Sequence, residues 1–318
     1  MTLGAENVSC CYWITLRAMV KGMVMSDERN IGRKISRREI LAGAGGIAAV
    51  MAGLSRTAGA AEIQMMVKNG RINQSVSRWC YSKVPYEKFC EICVKMGLKG
   101  IDLLQPEELP VVKKYNLVCT MLFSHSLTEG LAHKENHAEC IAKLQRSIEA
   151  ASQFGFPNVV CFPGNRKGMS DDEGIRNTVE GVKKIIGLAE EKKVTLCLEY
   201  LNSKVDHKDY MFDNIKFGAE VCKQVGSANM KILYDIYHAQ IMEGDIIRTI
   251  RDNKDYIGHY HTGGNPGRHE IDETQELYYP AIMRAIVETG FTGYVGQEFI
   301  PTGDPLTSLA QGVRICDV

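Results

Sequence analysis

The chain lacks the marks of several large function classes. Its 38 Lys and Arg balance its 38 Asp and Glu, so there is no basic field to draw in nucleic acid or an anionic membrane. No G-x-G-x-x-G follows the first strand-like run and no G-x-x-x-x-G-K-[ST] occurs, which removes support for a nucleotide-binding sheet. Nine of the 11 cysteines follow Ala60, an odd number without regular spacing, which argues against a disulfide framework. Cys90 and Cys93 form one CxxC with no second pair, a poor zinc site. No long low-complexity linker interrupts residues 62–318.

What is present divides into two parts. Residues 1–60 read as a leader: Arg37-Arg38, then the uncharged run LAGAGGIAAVMAGL, then the small residues Ala58-Gly59-Ala60-Ala61. A basic region, a modest apolar core and an A-x-A site make an export signal, and the paired arginines make it twin-arginine in type. The run is short of the ~20 residues that a membrane span needs. Met23 or Met25 is an alternative start that gives a conventional charged leader. Export places the mature chain in the periplasm or another extracytoplasmic space. An oxidising compartment sits uneasily with so many unpaired thiols, although the twin-arginine route carries proteins already folded. Cleavage after Ala60 leaves residues 61–318, close to the ~250 residues of one (β/α)8 barrel.

That second part alternates between two periods. Apolar or β-branched runs lie near 74–80, 100–104, 117–123, 158–164, 195–202, 230–239, 257–264 and 293–301. Helical spacing fills the gaps at 85–96, 136–154, 171–192, 211–225, 243–253, 278–289 and from 305 onward. Gly97, Gly155, Gly226 and Gly290 stand where left-handed caps end helices. Strands alternating with helices predict an α/β fold with a parallel sheet, and eight repeats close a single-domain (β/α)8 TIM barrel.

The ends of the last four runs carry Glu199, Asp235, His261 and Glu298. A lone charge buried on a strand costs several kcal/mol, so three carboxylates and an imidazole in such places point to one shared divalent cation. Strand ends of a barrel face one mouth, and these come from neighbouring strands. Oxygen ligands with one nitrogen suit Mn2+ or Mg2+, and Co2+ or Zn2+ is compatible. Around them lie His238, three residues past Asp235, Arg268 behind the GGNPG segment with His269 and Glu270 beside it, Asn202, and His125 after the third strand. Arg268 is suited to hold a substrate oxyanion or carboxylate. Asn202 is a candidate substrate contact or turn cap, and His125 a candidate for the substrate lining.

LCLEYLN, YDIYHAQ, HYHTGGNPGRHE and GQEFIP, in that order, resemble the hydroxypyruvate isomerase branch of the xylose isomerase-like barrel superfamily. The resemblance implies one divalent metal on Glu199, Asp235, His261 and Glu298. It implies proton exchange with substrate by Glu199 and Glu298, and substrate contact by His238 and Arg268. It also implies a small hydroxy-keto acid or sugar substrate, with hydroxypyruvate to tartronate semialdehyde as the leading reaction, and a homo-oligomer. Hydroxypyruvate isomerases commonly carry Gln where this chain has His261, whereas the related ketose 3-epimerases carry His. The epimerases have a further Glu where this chain has Val205. A metal-dependent endonuclease and a non-catalytic sugar-binding barrel are the more distant alternatives.

Overall fold

The structure is a computed structural model that describes residues 64–318, so the leader and its twin-arginine pair lie outside the described residues. Eight parallel strands close into a barrel in sequence order: β1 (Asn73–Ser77), β2 (Gly100–Leu104), β3 (Val118–Leu122), β4 (Asn158–Cys161), β5 (Thr195–Glu199), β6 (Met230–Asp235), β7 (Ile257–Thr262) and β8 (Tyr294–Gln297). Closure comes from β1 pairing with β8, Ser75 opposite Gly296. Each strand is buried, as a parallel sheet covered by helices must be.

The outer helices are α1 (Tyr86–Met96), α2 (Leu109–Lys114), α3 (His137–Phe154), α4 (Asp171–Lys183), α5 (Ile186–Lys192), α6 (Ile215–Val225), α7 (Ile236–Met242), α8 (Ile246–Asp252), α9 (Tyr279–Glu288) and α10 (Pro305–Cys316). Helix α1 shows why they form where they do. Phe89, Cys90, Ile92, Cys93 and Met96 give it one buried face, and Gly97 at φ 90° ends it by donating to the carbonyls of Cys93 and Val94. Ser170 caps α4 by accepting from Glu173 N–H, and Asp171, Asp172 and Glu173 complement the helix dipole in its first turn.

Three details differ from the sequence expectation. The long helix over 171–192 is broken into α4 and α5 at Lys184–Ile185, where Ile185 turns inward and is 4% exposed. Apolar spacing continues across that step, so periodicity does not disclose it. The apolar run 230–239 is a strand only to Asp235, whose side chain caps α7 by accepting from Tyr237 and His238 N–H. Helix α2, only six residues, falls below the length that spacing resolves.

The thiols behave as small hydrophobes. All nine cysteines in the described residues are free, and all but Cys80 are buried. Cys90 and Cys93 pack in the core against the barrel, apart from any metal-holding cluster found among the described residues. Among those residues, no helix is long and apolar enough to cross a membrane.

Candidate active site

Strands β5 to β8 bring the four expected ligands together at the C-terminal mouth. Ligating atoms of Glu199, Asp235, His261 and Glu298 all lie within 4.8 Å of one another, and every one of these residues is buried. Each position has a local cause. Glu199 and Asp235 are the last residues of their strands, and Glu298 directly follows β8. His261 stands opposite Asp235 in the β6–β7 register and opposite Gly296 in β8. A methyl group on Gly296 would collide with the Asp102 carboxylate and the His261 ring, so only glycine admits both.

The donor set fits a divalent cation. His261 Nδ1 lies 2.5 Å from Glu298 Oε2 and 3.6 Å from Glu199 Oε1, yet neither approach has hydrogen-bond geometry and Nδ1 is unpartnered. Its other nitrogen, Nε2, is 3.0 Å from Asp102 Oδ2. An imidazole that donates from Nε2 to a carboxylate presents a lone pair at Nδ1, the arrangement in which histidine serves a metal. Burial lowers the pKa of His261, but Glu298 and Asp102 outweigh it and hold the ring well above its usual value. The same negative field attracts a metal ion.

Asp102 and His259 were missed in the sequence. Asp102 sits inside β2 with its carboxylate fully buried, 2.7 Å from His259 Nε2, and accepts from Thr120 Oγ1 as well. Burial raises its pKa, but the two imidazoles outweigh that and pull it well below the carboxylate range. A charged residue amid GIDLL carries the same burial signal as the other ligands. It lies mid-strand in the other half of the barrel, however, away from any motif. His259 is two residues before His261, so strand alternation puts both rings on one face. Asp102, His259 and His261 also form a potential metal-holding group, but the Asp102 carboxylate is engaged by two imidazoles and His261 is common to both groups. Together the two groups could hold one ion, with Asp102 behind its histidine.

Arg268 enters from the loop after β7. Its Nη2 reaches Asp235 Oδ2 at 2.9 Å and Glu298 Oε2 at 2.7 Å, and its guanidinium lies over the rings of Trp79 and Tyr237 at 5.4 and 5.5 Å. Its backbone is left-handed at φ 58°, a costly conformation outside glycine, which neighbouring structure must enforce. The GGNPG segment does this as a hairpin, with Gly264 N–H donating to the His269 carbonyl. Glu270 clamps the hairpin to the segment after β8 by accepting from Thr302 and Gly303 in the loop and from Ser308 on α10. Burial raises the Glu270 pKa, but these donors bring it down to about 2.

The carboxylates are set apart by their surroundings. Burial pushes Asp235 up to about 7 against the pull of Arg268. Burial and the nearby Glu298 raise Glu199. Burial also raises Glu298, but Arg268 and His261 outweigh it and hold Glu298 at about 2, helped by Trp79 Nε1, which donates to Oε1 at 2.6 Å.

The other expected contacts are placed less directly. His238 is fully buried on α7, with Nε2 unpartnered and 3.7 Å from Asp235 Oδ2. Asn202 caps the turn after β5, accepting from Val205 and Asp206 N–H and donating to Asp206, and it lies 2.6 Å from His238 Nδ1. It positions His238 rather than facing the mouth. His125 is placed otherwise than expected: Nδ1 meets the Ser126 carbonyl, Nε2 accepts from Phe162 N–H, and its ring packs edge-on to Phe162. Both nitrogens are used by the framework, and His125 is not among the residues that line the cavity over the cluster.

A cavity of about 400 Å3 opens over the cluster. Glu199, Glu298 and Arg268 form its charged part, with Gln105 and His207, while Trp79, Leu103, Phe123, Leu127, Phe162 and Leu201 give apolar wall.

Comparison with known proteins agrees with this architecture. The family model for the xylose isomerase-like TIM barrel matches residues 56–316. A 2-oxo-tetronate isomerase of Cupriavidus necator is 32% identical over 157 residues, 49% of this chain and 60% of that protein. The hydroxypyruvate isomerase of Escherichia coli is 25% identical over 240 residues, 71% of this chain and 91% of that protein. The match thus spans under two thirds of the first relative and most of the second. The crystal structure of an AP endonuclease, family 2, from Brucella melitensis superposes with a TM-score of 0.67 at 20% identity, covering 76% of this chain and 98% of that one, a likeness of fold alone. The chain belongs to the xylose isomerase-like TIM barrel family.

Proposed function

We propose that the protein is a metal-dependent isomerase that moves a carbon-bound proton of an α-hydroxy carbonyl substrate through an enediolate. The observation that supports this most is the pair Glu199 and Glu298 at the two ends of one buried ligand arc, in surroundings that push their proton affinities apart. Glu199, Asp235, His261 and Glu298 would hold one divalent ion, Mn2+ or Mg2+ by donor type, with Co2+ or Zn2+ compatible. When bound, such an ion polarises the substrate carbonyl and so acidifies the adjacent C–H.

Glu298 is the base: Arg268 and Trp79 keep its carboxylate ionised and fix its direction. Glu199, raised by burial, returns a proton from the other end of the arc. Asp235 is tied by α7 backbone donors and by Arg268, which leaves it to hold position only. Asp102 holds the His261 ring from behind. Delivery to the neighbouring carbon is isomerisation, and delivery to the opposite face of the same carbon is epimerisation. The names of the relatives make hydroxypyruvate and 2-oxo-tetronates the first substrates to try. His261 favours the epimerase outcome as a second reading, against which stands Val205, 62% exposed where the epimerases carry Glu.

The test is solvent exchange. Protein loaded with Mn2+ or Mg2+ is given hydroxypyruvate, a 2-oxo-tetronate, ketoses and simple uncharged α-hydroxyketones in deuterated water. Carbon-bound deuterium with the carbonyl moved to the neighbouring carbon supports the isomerase, and deuterium with inversion at the same carbon supports the epimerase. No incorporation from any of them removes the proposal. The leader adds export by a twin-arginine route, with the barrel working outside the cytoplasm. Replacing Arg37 and Arg38 by Lys should strand the chain inside the cell, and unchanged export would remove that part.

A further inference from the structure

Charge and wall chemistry in the mouth narrow the substrate class. Glu199, Asp235 and Glu298 face a single guanidinium, that of Arg268, and the Asp102 carboxylate matches a proton held on His261, which leaves two net negative charges. One divalent ion brings the total no higher than zero, so neither state of the centre has positive charge to spare. No other Lys or Arg is among the cavity residues. Arg268 is already engaged: Nη2 bonds Asp235 and Glu298, and Nε donates to the Glu298 carbonyl. Nη1 is left to meet a substrate oxygen, for which a hydroxyl or carbonyl suffices. A substrate carboxylate would enter this cavity with no unmatched cation, and burying a charge on those terms is costly.

The rest of the wall is apolar. Trp79, Leu103, Phe123, Leu127, Phe162 and Leu201 line it, and beyond the charged cluster only Gln105 and His207 add polar groups. A cavity of about 400 Å3 has room for roughly a dozen waters at ~30 Å3 each, so a triose-sized acid leaves much of that wall wet. A free polyol would strip its remote hydroxyls of water and find few partners.

Resting on the isomerase reading above, we infer that the substrate is an uncharged α-hydroxy carbonyl compound whose far end is an apolar substituent. Its ketol end lies on the Glu199–Glu298 arc, and its substituent lies against Leu103, Phe123, Leu127 and Phe162. The mouth therefore selects against keto acids and against free polyols of the same length.

The experiment is a binding titration followed by NMR, on metal-free and on Mg2+-loaded protein in deuterated water. The ligands are hydroxyacetone, 1-hydroxy-2-butanone and 1-hydroxy-2-pentanone, with erythrulose and hydroxypyruvate as the hydroxylated and anionic counterparts. Affinity should rise about fourfold per added methylene. The longest ketol should bind more tightly than either counterpart, and Leu127→Asn should flatten the series. A flat series on the unaltered protein, or tighter binding of hydroxypyruvate or erythrulose, overturns the inference. Deuterium incorporation read in the same samples separates the two claims. Exchange with hydroxypyruvate as the best ligand upholds the isomerase and overturns the apolar preference. A rising series with exchange nowhere upholds the preference and removes the isomerase.

Discussion

The two halves of the barrel do different work. Strands β5 to β8 carry Glu199, Asp235, His261 and Glu298 at or just beyond their ends, the residues to which the proposed chemistry is assigned. Strands β1 to β4 and the segments after them supply support and shape: Asp102 behind His261, Trp79 on Glu298, and Leu103, Phe123 and Phe162 on the cavity wall. The difference teaches how a closed barrel lets one half be read locally and the other only across the closure. A ligand at a strand end announces itself as a buried charge. A supporting residue such as Asp102 makes sense only once the opposite strand is known.

Breaking the reacting half should have the largest effect. Glu298→Gln removes the base but keeps an oxygen and the shape of the site. Proton exchange should fall about a thousandfold, within the range for a lost general base, while the thermal transition stays in place. Full exchange by this variant would take Glu298 out of the mechanism.

Breaking the supporting half should cost less and in another currency of measurement. Asp102→Asn leaves all four ligands but loosens the tautomer of His261, so metal affinity should drop about ten- to a hundredfold by competition titration. Unchanged affinity would show that Asp102 serves packing only.

Acidity sharpens the same contrast. Burial raises Asp235 to about 7 and the carboxylates raise His261, so in the metal-free protein both carry protons below neutrality. Metal must displace them. Affinity should therefore fall at least tenfold per unit below pH 7, where both protons compete, and keep rising above it until the His261 ring gives up its own proton. The same titration with calorimetry in buffers of different ionisation heat should register proton release, and a pH-independent affinity would contradict the raised Asp235.

The smallest expected effect lies at the seam of the two halves. Gly296→Ala pushes a methyl group at Asp102 and His261. Overpacking of this kind costs about 1–3 kcal/mol, to be read as an equal loss in denaturant midpoint for metal-free and loaded protein. A loss seen only with metal would mean that the ring moves and the barrel does not.

Much of this was legible in the chain, for physical reasons. The strand cores were visible because buried parallel strands are nearly continuous apolar runs. The four-residue cluster was visible because charge at the end of such a run needs a partner. Asp235 shows the limit, since its run continues smoothly into Ile236 and Tyr237 while its own side chain starts a helix there. Asn202 and His125 show another. Both are polar and near the mouth, yet their hydrogen bonds go to Asp206 and His238 in one case and to backbone in the other. Spacing tells which strand end a residue follows but not which way its side chain turns.

The single metal centre can be weighed most directly by stoichiometry. Metal-free protein is dialysed against Mn2+ or Zn2+, and bound metal is counted by elemental analysis beside Glu199→Gln and Asp235→Asn. One ion per chain, lost or strongly weakened in both variants, is the predicted result. Binding of about three ions, or one ion held equally well by both variants, would contradict a centre built by Glu199, Asp235, His261 and Glu298.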